Sequence, residues 1–257
     1  MRPVGWKQKS GGAQIAQAIN ALIKALGLQT YSEPFCGGLS VTQRIVAPER
    51  RVSDACTALI CLYQRMQGGW VPPQALSKDE WLRLKTANDP TDPLTAFAGF
   101  GLSLFGSWFG SYAPLSTRNH KRISSALAAA ESLTNKLAKC RGVQFSSGDY
   151  QALGIGDLIY CDPPYEGTLQ YPAVGAFDSA AFWQWARAKS RTSLLAVSER
   201  HAPEDFIPLQ TFSLQSRIVT GAKNWRTEYL YVHESQLGVW LGTPEEWDSA
   251  LEREEAA

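Results

Sequence analysis

Apolar residues recur at Ile15, Ile19, Leu22, Ile23 and Leu26, in steps of three and four, and Gly27 follows. That spacing predicts an amphipathic helix over 14–26, ended by glycine. The texture then changes. "LQTYSEPF" predicts a short strand, "GGLSVTQRIV" a tight turn leading into a second helix, and "RRVSDA" another strand ending near Asp54. "CTALICLYQRMQGG" reads as a helix closed at Gly68–Gly69, with "WVPP" as a rigid loop after it. Ser77 with Glu80 three places on is a capping-box pattern and starts a helix over 77–86, before "NDPTDP" breaks the structure.

Residues 96–114, "AFAGFGLSLFGSWFGSYAP", are rich in aromatics and glycine and follow no clean period. "RNHKR" comes next and precedes a helix running from about Ile123 to Cys140. From Val143 the alternation of strands and helices returns. "VQFSSGD" and "DLIYC" predict strands, and "SAAFWQWARAKS" a helix capped near Asp178 or Ser179. "TSLLAVSE" predicts a buried strand, "LQSRIV" with "EYLYVH" a late antiparallel pair, and "TPEEWDSALEREEAA" a short acidic helix. The expected fold class is α/β: an open sheet covered on both faces, with a mainly helical insert. The expected division is 1–65 and 143–257 for the sheet domain and 66–142 for the insert.

The 257 residues suffice for such a domain, and 44% apolar content supports a true core. Formal net charge is +1, so only local charge can speak about partners. The five cysteines, Cys36, Cys56, Cys61, Cys140 and Cys161, are odd in number, and no pair has CxxC spacing. They read as reduced thiols, and no metal site is expected among them and the scattered His120, His201 and His233. No signal-peptide pattern opens the chain, and no apolar run approaches the ~18 residues of a membrane span. The expectation is no membrane partner and a cytoplasmic location, in a bacterium or a phage-infected host.

Chemistry concentrates in four places. Gly37–Gly38 follow a strand in "YSEPFCGGLSV", where a ligand can approach the backbone, but the two could also simply form a turn. Asp54 ends the next strand, where a carboxylate can hold ribose hydroxyls or cap the following helix. Asp149, in "FSSGDY", can accept from an amine or cap a turn. The fourth is "CDPPY", Cys161 to Tyr165, directly after an apolar strand. An exocyclic amine on an aromatic base is a poor nucleophile because its lone pair is delocalised into the ring. Acceptors on both N–H bonds favour the pyramidal, nucleophilic nitrogen. Asp162 offers one acceptor, and the Pro163 carbonyl, its direction pinned by proline, offers another. Tyr165 offers a ring on which a base can stack. Such fixed acceptors stabilise the positive charge that develops on nitrogen.

"DPPY" after an apolar strand, with "EPFCGG" upstream, resembles the Dam-like class of DNA adenine N6-methyltransferases, in a form most similar to phage members. The resemblance covers roughly residues 5–233, and the order of motifs agrees. It implies a Rossmann-like methyltransferase sheet using S-adenosylmethionine, an inserted target-recognition lobe, and double-stranded DNA as partner, in restriction–modification or phage biology. It implies that Asp162, Pro163, Pro164 and Tyr165 grip the target adenine. Glu33, Pro34, Phe35, Gly37 and Gly38 would line the methionine end of the cofactor, Asp54 would hold the ribose, and Asp149 with Tyr150 would sit beside the cofactor adenine. Trp6 and Lys7, in "GWKQKSGG", fall in the family's N-terminal cofactor motif. Two positions depart from the pattern. Leu39 stands where the family usually carries a glycine, and Ala13 follows Gly11–Gly12 where it carries a lysine that shapes the cofactor pocket, a role for which Lys7 and Lys9 are the candidates.

Between residues 103 and 145 there are six basic residues, Arg118, Lys121, Arg122, Lys136, Lys139 and Arg141, against one acid, Glu131. Arg118, Asn119, Lys121 and Arg122 are candidates to grip phosphates or reach base edges; the alternative is a solvated face. Phe105, Trp108, Phe109 and Tyr112 wedge into a duplex or pack the lobe, and packing is favoured because four aromatics exceed what one wedge needs. Rival readings are methylation of cytosine N4 or of an RNA base, and a catalytically silent DNA-binding protein.

Overall fold

The computed structural model describes residues 12–118, 121–164, 177–217 and 223–242. Helix α1 (Gly12–Leu26) leads into β1 (Thr30–Glu33), β2 (Glu49–Asp54) and α2 (Thr57–Gln67). The insert holds α3 (Lys78–Ala87), α4 (Pro93–Gly101), the strands β3 (Leu115–Arg118) and β4 (Lys121–Ser124), and α5 (Ser125–Lys139). The chain continues with β5 (Gln144–Ser147), α6 (Tyr150–Leu153), β6 (Leu158–Cys161), α7 (Ser179–Lys189) and β7 (Leu194–Glu199). It closes with β8 (Phe206–Arg217), β9 (Lys223–His233) and α8 (Leu237–Leu241).

The main sheet has the order β5-β2-β1-β6-β7-β9-β8. The first five strands are mutually parallel, and β9 runs against both its neighbours. From β1 the chain steps outward to β2 and β5, then returns to place β6 on the other side of β1. That reversal makes β1/β6 the switch point of a Rossmann-like, doubly wound sheet. Asp157 fixes the register there: its Oδ2 accepts from the backbone N–H groups of Gln29 (2.8 Å) and Thr30 (2.9 Å).

Both faces of the sheet are buried, and the two-residue period of the strands sorts their side chains. Leu158 and Tyr160 of β6, Ala196 of β7, and Leu230 and Val232 of β9 enter one cluster. Their neighbours Ile159, Cys161, Leu195, Val197 and Tyr231 enter the opposite one, with Phe182 and Trp183 of α7. The first cluster does not stop at the sheet. It runs from Ile19 of α1 through Leu59 and Leu62 of α2 to Trp81 of α3, Phe97 of α4 and Leu133 of α5. The inserted helices and the sheet share one core.

Several expectations need correction. The helix expected after Gly38 is only a 3₁₀ turn, Thr42–Arg44. Val41, Thr42, Ile45 and Val46 are β-branched and disfavour helix, and Pro48 stops the run. The aperiodic stretch begins with a true helix, α4, capped by Asp92 with Pro93 at its first position. Thr95 through Phe100 are all buried, so no polar face exists to give a period. "RNHKR" does not lead straight into a helix. Its ends fall on β3 and β4, antiparallel strands with Arg118 opposite Lys121, and residues 119–120 between them lie outside the described residues. The helix begins at Ser125. Trp108, Phe109 and Tyr112 pack the lobe, as favoured: Trp108 lies 4.8 Å from Phe100, and both Phe109 and Tyr112 lie 5.4 Å from Trp81 (ring centroids). A Cβ at Gly99 would stand 2.8 Å from the Trp108 ring, so only glycine lets that indole seat. The Phe105 side chain and the acidic tail lie outside the described residues.

All five cysteines are free, and four of them are buried. Among the described residues no helix is long and apolar enough to cross a membrane.

Candidate functional site

β1, β2, β5 and β6 are parallel, so the loops that follow them leave the same edge of the sheet. These loops carry Glu33–Leu39, Asp54, Asp149–Tyr150 and Asp162–Pro164. Ligands of open α/β sheets bind outside the carboxyl ends of the strands at the switch point, here between the β1 and β6 loops.

The loop after β1 is held tightly. Asp54 Oδ2 accepts from the Gly37 N–H at 2.9 Å, and its Oδ1 accepts from the Cys56 N–H at 2.9 Å. Burial raises the Asp54 pKa and these two bonds oppose the rise. A carboxylate has about four acceptor sites, so half remain for a ligand's hydroxyls. The Tyr63 hydroxyl donates to the Gly37 carbonyl at 2.7 Å, and Lys136 Nζ to the Gly38 carbonyl at 2.6 Å. Gly37 has φ +41° with nothing within 4 Å of where a Cβ would stand, an open cradle over bare backbone. Leu39 is fully buried and has φ +56°, a left-handed conformation at the position where the resemblance leads one to expect glycine.

Glu33 closes the strand from beneath. Its Oε2 accepts from the Tyr31 hydroxyl (2.7 Å) and the Thr42 hydroxyl (2.6 Å). Burial pushes its pKa up to about 7, against the pull of those two donors. Pro34 is buried. The Phe35 ring stacks on Tyr150 at 5.3 Å and 29°, with Phe177 and Phe182 edge-on to it. Asp149 is exposed and caps α6 by accepting from the Gln151 N–H at 2.7 Å.

Asp162 sits half-buried at the end of β6, followed by buried Pro163 and exposed Pro164. Its pKa is raised well above the carboxylate range, first by burial, then by the charges of Glu228 and Glu199. Both of those side chains are buried, at 8% exposure each. Glu199 ends β7 and pairs in register with Tyr229, the residue after Glu228. Two further carboxylates therefore act on Asp162 from within the fold, and nothing in their local sequence marks them. Among the described residues no His, Cys, Asp and Glu cluster is arranged to hold a metal ion.

Four loops are thus brought together on one edge, with Glu33, Pro34, Phe35, Gly37, Gly38, Asp54, Asp149, Tyr150, Asp162, Pro163 and Pro164 on them. Trp6, Lys7, Asn119 and Tyr165 lie outside the described residues, as do the side chains of Arg118 and Lys121. Arg122 is exposed on β4, opposite Thr117. Lys136 does not belong with the solvent-facing basic residues. It is 5% exposed. One signal foretold this: Ala126, Ala129, Ala130, Leu133 and Leu137 form the buried stripe of α5, and Lys136 falls three places after Leu133 on it.

No family model and no curated protein sequence matches the chain. Among solved structures the chain is similar to the rRNA methyltransferase AviRa from Streptomyces viridochromogenes. The identity is 13%, with 86% of this chain and 84% of that chain covered and a TM-score of 0.37. It is also similar to an amino pentose methyltransferase from Micromonospora echinaspora, solved with S-adenosylmethionine bound. There the identity is 12%, the coverage 97% and 82%, and the TM-score 0.29.

Proposed function

We propose that this chain is an S-adenosylmethionine-dependent methyltransferase acting on adenine N6 in double-stranded DNA. One observation carries the reading. Asp162-Pro163-Pro164 leaves β6 directly beside the open glycine loop that leaves β1, across the switch point of the sheet. An amine-gripping loop and a backbone cradle therefore share one mouth.

The cofactor supplies an electrophilic methyl group on a sulfonium. The chain's residues fit it: the bare Gly37 backbone gives room, and Asp54 keeps acceptor capacity for ribose hydroxyls. Asp162 accepts one N–H of the target amine and the Pro163 carbonyl the other, turning the nitrogen lone pair toward the methyl carbon. S-adenosylmethionine, when bound, would supply that methyl carbon and leave as the neutral thioether. The nitrogen becomes cationic and loses a proton to Asp162, whose raised pKa makes its carboxylate the better base. Glu199 and Glu228 add negative potential where that positive charge grows. The β3–β4 hairpin supports duplex DNA as substrate: a two-stranded ribbon fits the major groove, and this one carries Arg118, Lys121 and Arg122.

The test is direct. The protein is incubated with unmethylated duplex DNA and methyl-labelled S-adenosylmethionine, and the DNA is digested to nucleosides. Label in N6-methyladenine supports the proposal. Label in N4-methylcytosine, or in RNA offered in parallel, moves the substrate but keeps the chemistry. No label on any of these, from folded protein, overturns it.

A further inference from the structure

Three side chains hold two consecutive glycines of the cradle, and one comes from an unexpected quarter. Asp54 and Tyr63 belong to β2 and α2, the elements next to β1 in the chain. Lys136 belongs to α5, at the far end of the insert, and reaches the Gly38 carbonyl at 2.6 Å from a buried position. A lysine almost never lies this deep without a specific partner.

The peptide it grips matters. The Gly38 carbonyl and the Leu39 N–H belong to one rigid plane. The Leu39 N–H donates to the Cys36 carbonyl at 2.9 Å, closing the turn. Rotation between that plane and the Leu39 Cα is the φ angle that stands at +56°. A leucine there disfavours this angle by about 1–2 kcal/mol, whereas glycine would not. Something must hold the plane for the turn to keep its shape.

We propose that Lys136 is a positioning residue, which fixes the Gly38–Leu39 peptide so that a leucine can occupy a left-handed turn, and thereby shapes the cradle for S-adenosylmethionine. The proposal rests on the methyltransferase reading above.

The lysine's surroundings supply a signature. Burial, and then the charge of Arg44, bring the Lys136 pKa down to about 7, while Cys140 acts in the opposite direction. Glu33 acts on that same Cys140 and accepts from Thr42, two residues before Arg44. The ammonium therefore loses its proton in the neutral range, and its grip on the carbonyl weakens with it.

The experiment measures S-adenosylmethionine binding to wild type, K136M, L39G and K136M/L39G by calorimetry. K136M should weaken binding about tenfold or more, the size expected of a lost charged hydrogen bond. Its kcat at saturating cofactor should stay within about twofold, because the lysine touches no reacting group. In the L39G background the same substitution should cost less than about threefold, since glycine needs no help to hold the turn. Wild-type affinity should fall between pH 6 and 8.5 more steeply than that of K136M, which keeps Glu33, Arg44 and Cys140. This comparison needs only the single variant, should the L39G proteins fail to fold. Equal binding by wild type and K136M with parallel pH profiles overturns the role of Lys136 alone. Absence of binding by wild type overturns both that role and the methyltransferase reading.

Discussion

Replacing Leu39 separates two effects that its position superimposes. The side chain is fully buried, and the backbone is left-handed at φ +56°. Leu39→Ala removes the side chain and keeps the strain, and should cost about 3–5 kcal/mol, the range for a buried leucine. Leu39→Gly removes the same packing but also the strain, a gain of about 1–2 kcal/mol. Against this stands glycine's extra freedom in the unfolded chain, about 0.5–1 kcal/mol relative to alanine. The balance makes L39G more stable than L39A by about 0–1.5 kcal/mol, centred on ~0.75, opposite in sign to the usual order. Urea unfolding of the three proteins, with midpoints compared at a common slope, reads the difference. In a heat scan it corresponds to about 2 °C for a chain of this size. An L39G protein less stable than L39A by the usual glycine penalty would refute the reasoning, because Leu39 would then carry no strain for glycine to relieve.

Asp162→Asn should lower methyl transfer by about a hundredfold or more while leaving cofactor affinity nearly unchanged; single-turnover rates with binding by calorimetry check both. Removing a neighbouring charge with Glu228→Gln should lower the Asp162 pKa, so the acid limb of the kcat profile should shift to lower pH; an unmoved limb would separate that limb from Asp162. Glu33 is held with its pKa raised from 4.5 to about 7, so its stabilising share is full below the unfolded value and is lost as pH rises through the folded one. Wild type should therefore lose about 3 kcal/mol relative to Glu33→Gln between pH 4.5 and 7, measured by urea unfolding across that window. Arg122→Ala should weaken duplex binding evenly across sequences and reduce the salt slope of log K by about one, if this exposed arginine contacts a phosphate.

The parts visible in the sequence were those where local pattern and tertiary role agree. β6 and β7 are short apolar runs that end at Cys161 and Glu199, while the more polar β1 and β2 were betrayed by the turn and helix signals that follow Glu33 and Asp54. The Asp162 loop stood out because proline cannot continue a central strand. α4 was hidden because burial all round leaves no period, and β3–β4 because "LSTR" and "KRIS" carry no apolar alternation. Asp54 is not the cap of α2, which is Cys56; its carboxylate instead accepts from the Cys56 N–H and, through its other oxygen, from the Gly37 N–H of the glycine loop. Lys136, Glu199 and Glu228 escaped notice for one reason. A charged residue reads as surface unless the stripe it falls on, or the strand opposite it, is known. For Glu228 that knowledge requires the β7–β9 pairing.

The core that runs unbroken from Ile19 through Leu62 and Phe97 to Leu133 bears on how this protein could be redesigned. A reading head joined by linkers alone can be exchanged for another to give a new target sequence. Here, cutting out residues 66–142 would strip the cover from α2 and leave the Gly38 carbonyl without Lys136. A transplanted lobe would have to bring side chains that fit this interior. Any redesign of this chain therefore has to treat the insert and the sheet as one packing unit, changing residues in place rather than exchanging the lobe whole.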